Sequence, residues 1–224
     1  MNIPDSLVVI TDLELAAVNA LRRVLKCSVQ ACFFHLSRCF GRKVQAARMQ
    51  TRYSQDTEFA TQAKMIAALA FVPPCDVESA FEVLADKIDK DLEPVLDHME
   101  DYFIGRQRRR GRANPRYNFW NLYECALQGW SRSNNGQEGW HYSFQVQLGG
   151  NHLSLWKVLD GIKREIALGK MRRLHISIGR EGKQEAKYQR VTESIEKIAA
   201  SYDKADVLQY LRSLAHVIEF LCTL

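Results

Sequence analysis

The sequence predicts an α/β protein that is mostly helical. Residues 7–11 form a short apolar, β-branched run, and residues 28–32 form a second candidate strand. From Phe33 onward, apolar residues recur at helical spacing through most of the chain. Two strands followed by helices therefore predict a small sheet at the beginning of a chain that is otherwise helical.

The composition is that of a folded globular protein. Of its 224 residues, 46% are hydrophobic and 25% are charged. The formal net charge of +5 permits a polyanionic partner without requiring one. No apolar run reaches the roughly 20 residues that cross a bilayer, and no secretory signal precedes the first strand. Because the six cysteines are scattered, we expect reduced thiols and an intracellular protein that has no membrane partner.

The two candidate strands are expected to pair in parallel. The segment between them predicts a helix that begins at Asp12, a favourable capping residue, and ends near Val24. A strand, a helix and a strand in so short a span favour a parallel pair joined by a crossover. A buried parallel strand needs a neighbour on each side, so we expect that upstream strands of this sheet are missing from the chain.

The rest of the chain predicts helices interrupted by two distinctive segments. An arginine-rich segment, residues 106–116, contains Gly111 and Pro115, which favour an exposed loop. Residues 119–123 are rich in aromatic side chains and are expected to anchor the chain to a core. The four tryptophans are likewise expected to be core anchors. Helices are predicted for residues 60–70, 77–88, 92–103, 137–148, 153–168, 183–201 and 204–221.

Two acidic residues lie in settings that suit a divalent metal ion. Asp12 follows the first strand, and Glu138 opens a predicted helix after a turn at residues 134–136. Carboxylates on rigid elements bind hard cations, and two such ions can hold the attacking and leaving oxygens of a phosphodiester. The simpler alternative is that Asp12 caps a helix and Glu138 is a favourable charge in a first helical turn.

A second set of candidate ligands is Cys32, His35 and Cys39. If a helix begins near Cys32, their spacing places all three on one face, where they could contribute to a zinc site. The spacing fits no standard zinc ribbon or finger, so we do not expect structural Zn²⁺. The alternative is that Cys32 packs in the core while His35 makes a hydrogen bond.

Glu138 and His141 form a Glu-x-x-His pair on one helical face. Two copies of this motif build di-iron sites in helical bundles, but the chain contains only one. We therefore interpret His141 as a neighbour that positions groups at the metal site.

The arginine-rich segment has two interpretations. Its side chains could follow a phosphate backbone, or they could form a solvated loop or a nuclear-import signal. Residues 170–173 are a weaker candidate for the same role. The arginines that we assign to DNA contact are Arg106, Arg108, Arg109, Arg110 and Arg112.

In their order and spacing, these pieces resemble the transposase domain of Mutator-like DNA elements. Residues 9–14 resemble the strand that carries the family's second catalytic aspartate, and residues 32–36 resemble its Cys-x-x-His signature. Residues 69–73 resemble a recurrent segment of the helical insertion. Residues 119–121 and 132–141 resemble the stretch that carries the third catalytic residue, which maps to Glu138. The resemblance covers residues 8–168 and rests on the joint order of these segments.

The resemblance implies the C-terminal part of a ribonuclease H-like α/β core with few strands, a large helical insertion and a trailing helical region. Its segments would be a partial core at residues 1–50, the helical insertion with the basic loop at residues 51–130, a return to the core at residues 131–170, and C-terminal helices at residues 171–224.

The resemblance also implies an activity. In this family, three carboxylates bind Mg²⁺ or Mn²⁺ ions that cut and rejoin double-stranded DNA in the nucleus. Asp12 and Glu138 would be catalytic metal ligands, and Cys32 and His35 would support the core beside them. The intact enzyme could be a homo-oligomer. The first aspartate and any N-terminal zinc finger are not in this chain, and Ser133 stands where a threonine is commoner.

Because one carboxylate of the three is missing, we expect this chain by itself to be a catalytically inactive fragment of a DNA transposase. A second interpretation is a domesticated or decayed transposase-derived protein that binds DNA or another partner without catalysis. A third is a metal-binding helical protein that is unrelated to transposition.

Overall fold

The structure, a computed structural model, describes residues 8–25, 27–108, 111–112, 117–149, 153–179 and 186–218. These residues are mostly helical, as predicted. They form two compact units. The first unit contains the described residues up to Asn134 and those from Arg190 onward, and the second lies within residues 135–189.

The first unit begins with a parallel pair of strands. Strand β1 (Val8–Thr11) pairs with β2 (Ser28–Ala31) in a register that aligns Val8 with Ser28 and Thr11 with Ala31. The crossover between them is helix α1 (Leu15–Leu25). The predicted parallel pairing is therefore confirmed. Within the described residues, no third strand joins this sheet.

Most of the other described residues of the first unit are helical. Helix α12 (Val207–Val217) packs along helix α4 (Thr57–Ala68), most of whose side chains are buried. The buried apolar residues of α12 recur at positions i, i+3, i+4 and i+7, which places them on one face. The helices are α2 (Phe33–Ala46), α3 (Gln50–Gln55), α4 (Thr57–Ala68), α5 (Val77–Lys87), α6 (Glu93–Met99), α7 (Tyr117–Trp120), α8 (Tyr123–Leu127), α11 (Ala186–Ala200, from Arg190 onward) and α12 (Val207–Val217). Short 3₁₀ turns span Leu69–Phe71, Lys90–Leu92 and Lys204–Asp206, and a π-helical turn spans Glu100–Ile104.

The aromatic segment at residues 119–123 anchors the chain, as predicted. Trp120 is fully buried, and its indole nitrogen donates to the carbonyl of Phe103 at 2.9 Å. The Asn121 amide donates to the carbonyl of Val72 at 2.7 Å. The backbone N–H of Leu122 donates to Ala70 at 2.6 Å. This segment therefore fastens α7 and α8 to the end of α4.

The prediction that all four tryptophans are core anchors is wrong for three of them. Trp130, Trp140 and Trp156 are exposed. Trp140 and Trp156 lie in a unit whose described residues form two long helices, and two helices cannot enclose a large side chain on every side.

The arginine-rich segment contains a small antiparallel pairing where a loop was predicted. Strands β3 (Gln107–Arg108) and β4 (Gly111–Arg112) pair with Gln107 opposite Arg112. Strands of two residues are too short to produce a recognisable alternation of polar and apolar side chains. Arg109 and Arg110 lie outside the described residues.

The second unit is a pair of packed helices, α9 (Asn135–Leu148) and α10 (Leu155–Ser177). They approach closely at Gly161, where an added Cβ would lie 2.5 Å from Cδ2 of Leu148 and 3.3 Å from the Phe144 ring. The Trp140 indole stacks on Phe144 and donates to Glu165 at 2.7 Å. None of the helices in the described residues combines the length and the apolar character that a membrane crossing requires.

Candidate functional site

Asp12 lies immediately after β1, at the carboxyl end of the parallel pair. One of its carboxylate oxygens, Oδ1, accepts from the backbone N–H of Glu14 at 3.2 Å and from the hydroxyl of Thr11 at 3.4 Å. Helix α1 begins only at Leu15, so Asp12 closes a turn before the helix. The side chain is half-buried, and these bonds hold its carboxylate at the end of the strand.

The segment that precedes α9 is tied to the same end of the sheet. The backbone N–H of Cys32 donates to the carbonyl oxygen of Thr11 at 2.7 Å, and the backbone N–H of Phe33 donates to the carbonyl oxygen of Arg132 at 2.8 Å. The Cys32 sulfur in turn accepts from the backbone N–H of Asn134 at 3.4 Å. We call these last two bonds the edge tether. It joins segments that are about 100 residues apart in sequence, both of which the family resemblance assigns to the site.

Arg132 is a cation in the edge tether that sequence reasoning passed over. Its Nη2 donates to the hydroxyl of Thr192 at 3.2 Å, whereas Nη1 is buried without a hydrogen-bond partner among the described residues. Burial lowers the pKa of the guanidinium, but the arginine side chain stays charged at neutral pH. An arginine in a turn carries no sequence signal that would distinguish it from a solvated one.

A polar network links β2 to the aromatic segment. Gln30 lies within β2, and its amide donates to the carbonyl of Asn121 at 3.0 Å. The Gln30 side-chain oxygen accepts from the thiol of Cys125 at 2.6 Å. The Asn121 side-chain oxygen also accepts from the backbone N–H of Tyr123 at 3.1 Å. These bonds hold the carboxyl end of the sheet against α7 and α8.

The three candidate zinc ligands do not share a contact. Cys32 is fully buried, as the alternative predicted, and its sulfur contacts Asn134. His35 lies in the first turn of α2 with its ring edge-on to Phe34, at 5.3 Å between ring centroids. Cys39 instead places its sulfur 3.4 Å from Nε2 of His98 on α6.

His98 is enclosed by aromatic rings. Its ring packs against Phe40, Tyr102 and Phe103, with centroids 4.6 to 6.1 Å away. Burial lowers its pKa to about 4, with Lys43 contributing in the same direction and Asp101 opposing. Burial also raises the pKa of the Cys39 thiol. The pair is therefore a neutral imidazole beside a neutral thiol at neutral pH.

Acidification should destabilise the protein through His98. The lowered pKa in the folded state means that the unfolded chain binds the proton first, so the contribution of His98 is complete above pH 6.5 and is lost as the pH falls toward 4. Allowing for solvent screening, we expect a loss of about 1–2 kcal/mol in this window. Urea unfolding of wild type and His98→Gln at pH 7 and pH 4.5 measures it. If the free energy of unfolding fell by the same amount between pH 7 and pH 4.5 in both proteins, the lost stability would not come from His98.

Glu138 and His141 lie in the second unit. Glu138 is an exposed residue in the first turn of α9, the helix that starts one residue after Asn134. His141 is also exposed, and its ring lies 5.0 Å from that of Trp140. Glu138 therefore lies in the first turn of a helix, as predicted, but α9 begins at Asn135, within residues 134–136, where a turn was predicted.

Arg106 is engaged by acidic side chains. Its guanidinium donates to the carboxylate of Asp101 and, at 3.4 Å, to that of Asp97. The hydrogen bond from Arg106 lowers the pKa of Asp101. Part of the positive charge at this end of the arginine-rich segment is thus offset locally. The side chains of Arg108 and Arg112 lie outside the described part of the structure, as do Arg109 and Arg110.

No group of three or more His, Cys, Asp or Glu side chains is arranged to hold a metal ion within the residues that the structure describes. No protein-family model, no curated protein and no solved structure matches this chain. The functional interpretation therefore depends on the residues themselves and on their geometry.

Proposed function

We propose that this chain is part of a DNA transposase of the Mutator-like class, from a ribonuclease H-like core with a helical insertion. The intact enzyme would cut and rejoin double-stranded DNA with Mg²⁺ or Mn²⁺ in the nucleus. Asp12 and Glu138 would be two of its metal ligands, and His141 would position groups near Glu138. Arg108, Arg109, Arg110 and Arg112 would contact DNA, with Arg106 paired to acidic residues beside them.

The observation that carries this proposal is the edge tether. The edge tether joins two backbone segments of the first unit, residues 32–33 and 132–134, and the resemblance assigns both of them to the site. Here the backbone of Cys32 is bonded to Thr11, the residue before Asp12. The sulfur of the same cysteine accepts a hydrogen bond from the backbone N–H of Asn134, the residue before α9. Cys32 and His35 would support the core beside the site, and the bonds that Cys32 makes to Thr11 and Asn134 support this role for Cys32.

The donor chemistry suits a hard cation, but the number of donors is small. Carboxylate oxygens are the ligands that Mg²⁺ and Mn²⁺ prefer. Two carboxylates are fewer than a pair of close divalent ions needs, because each missing ligand removes or displaces an ion. We therefore assign no catalytic step to this chain alone and expect it not to cleave DNA.

A Mn²⁺ titration tests the proposed ligands. Free and bound Mn²⁺ are distinguished by electron paramagnetic resonance, so binding is measured without any catalytic activity. We expect weak binding by the wild-type chain, and a loss of affinity of at least about tenfold in both Asp12→Asn and Glu138→Gln. A ligand must contribute an ionised oxygen, which both substitutions remove.

The matched control is Glu14→Gln. Glu14 is an exposed carboxylate two residues from Asp12, and it contacts Asp12 only through its backbone N–H. The affinity for Mn²⁺ should therefore be unchanged. Equal affinities in wild type, Asp12→Asn and Glu138→Gln would refute the assignment of these residues as ligands.

The second candidate is a transposase-derived protein that binds DNA without catalysis. The local neutralisation of Arg106 does not remove the remaining arginines, so either candidate should bind double-stranded DNA more weakly as salt is raised. The candidates differ in metal binding. DNA binding without Mn²⁺ affinity at Asp12 and Glu138 would favour the second one.

A further inference from the structure

One face of α10 carries an exposed apolar seam. It consists of Leu155, Leu159, Ile162 and Ile166, whose side chains are 69%, 36%, 43% and 54% exposed. Their steps of four, three and four residues follow the alternation of four and three in the seven-residue repeat by which two helices pack side by side. We call these four residues the α10 seam.

The α10 seam is separate from the face that packs on α9. That face contains Gly161, against Leu148 and Phe144, and Glu165, which accepts from Trp140. At 100° per residue, the seam lies roughly 110° around the helix from the direction of Gly161 and Glu165. Among the described residues, the packing of α9 on α10 thus leaves the seam exposed, although apolar surface of this kind is costly to expose to water.

We propose that a second copy of this chain covers the α10 seam, with the two α10 helices parallel and in register. A two-fold axis places each seam residue opposite the same residue of the second copy, so the same apolar stripe forms both sides of the interface.

The charges that flank the seam favour this orientation. In parallel helices with this repeat, Glu165 of one copy lies beside Lys170 of the partner subunit, and the symmetric pair repeats on the other side. An antiparallel arrangement can also align the four seam residues of one copy with those of the other. Val158 then lies beside Glu165 of the partner subunit and Trp156 beside Lys163 of the partner subunit, so opposite charges do not meet. The next seam positions are Gly169 and Arg173, and these limit the interface to four layers.

A seam of four layers predicts weak, concentration-dependent dimerisation. The interface is at the small end of specific interfaces, and association must offset lost rotational and translational freedom. Sedimentation equilibrium over a range of protein concentrations should therefore show a monomer–dimer equilibrium for the wild-type chain.

Substitution of one seam layer tests the interface. Leu159→Lys places two ammonium groups opposite each other and removes an apolar contact, so the dissociation constant should rise at least about tenfold. Because Leu159 is 36% exposed within one copy, thermal unfolding of the variant is measured beside that of wild type to check that the monomer still folds. The matched control is Leu174→Lys, which changes an equally apolar, 61% exposed side chain of the same helix outside the seam. This control should dimerise as wild type does.

Charge reversal tests the orientation. Lys170→Glu should weaken the dimer, and the double substitution Lys170→Glu with Glu165→Lys should restore it. Because Glu165 also bonds to Trp140, thermal unfolding of the double variant checks that α9 and α10 still pack. The proposal is overturned if wild type is monomeric at every concentration, if Leu159→Lys leaves the dimer intact, or if Lys170→Glu has no effect. Metal binding is measured separately on dilute monomer, so these outcomes do not depend on the proposed function.

Discussion

Replacing Trp120 with alanine should lower the free energy of unfolding by about 3–5 kcal/mol. The indole is fully buried between the π-helical turn and the aromatic segment, with its ring edge-on to Phe103 at 6.0 Å. Its removal leaves a large cavity and also leaves the Phe103 carbonyl without its donor. Urea unfolding followed by circular dichroism at neutral pH measures the change.

Two further variants separate burial from hydrogen bonding. Trp120→Phe retains most of the apolar volume but not the N–H donor, so its cost should be intermediate, about 1–3 kcal/mol. The control is Trp156→Ala, because Trp156 is 76% exposed and its truncation should change stability by less than about 0.5 kcal/mol. If Trp120→Ala were as stable as Trp156→Ala, the anchoring role of the aromatic segment would be wrong.

The substitution Asn121→Asp should cost about 3 kcal/mol or more at neutral pH. The Asn121 amide donates to the Val72 carbonyl at 2.7 Å, and the residue is buried. A carboxylate in its place cannot donate, and it directs negative charge at a carbonyl oxygen. The bond that the side-chain oxygen accepts from Tyr123 would remain, so the loss reports on the contact with Val72.

The cost of Asn121→Asp should shrink at low pH. Burial and the facing carbonyl raise the pKa of the introduced carboxyl above the ordinary value of about 3.9. Its protonated form can donate to Val72, so stability relative to wild type is recovered below that ordinary value and lost as the pH rises through the raised pKa. Unfolding of both proteins at pH 4 and pH 7 tests this. Asn19→Asp, on an exposed face of α1, should be within about 0.5 kcal/mol of wild type at both pH values.

Much of the local structure could be predicted because its signals are local. A predicted helix fills the short span between the β-branched run at residues 7–11 and the strand at residues 28–32, which favours a crossover, and the parallel pair is confirmed. The helix expected near residues 137–148 is α9, and the helix expected at residues 60–70 is α4 with the 3₁₀ turn that ends at Phe71, two residues before Pro73. The helix expected at residues 153–168 extends to Ser177, because neither Gly169 nor the charges after it stop a long helix.

Little of the candidate site could be predicted from residue types alone. Sequence reasoning grouped Cys32, His35 and Cys39 because helical spacing places them on one face. In the structure the Cys39 sulfur lies beside His98, which is 59 residues away, and Cys32 contacts the backbone of Asn134. The sequence did not indicate the roles of Arg132 and Gln30, because the residues around a polar side chain do not show which partner it will contact.

By itself, the sequence determined where the parallel strand pair and most of the helices lie, since hydrophobic periodicity, proline and capping residues act within a few positions of the backbone. It also determined that residues 119–123 would be an anchor, because buried aromatic surface dominates packing. Only the tertiary structure decided which groups meet. The edge tether joins Cys32 and Phe33 to residues about 100 positions away, and the α10 seam is left exposed by the packing of α9 on a different face. Such contacts depend on how whole elements pack, and the pattern within any one element leaves them open.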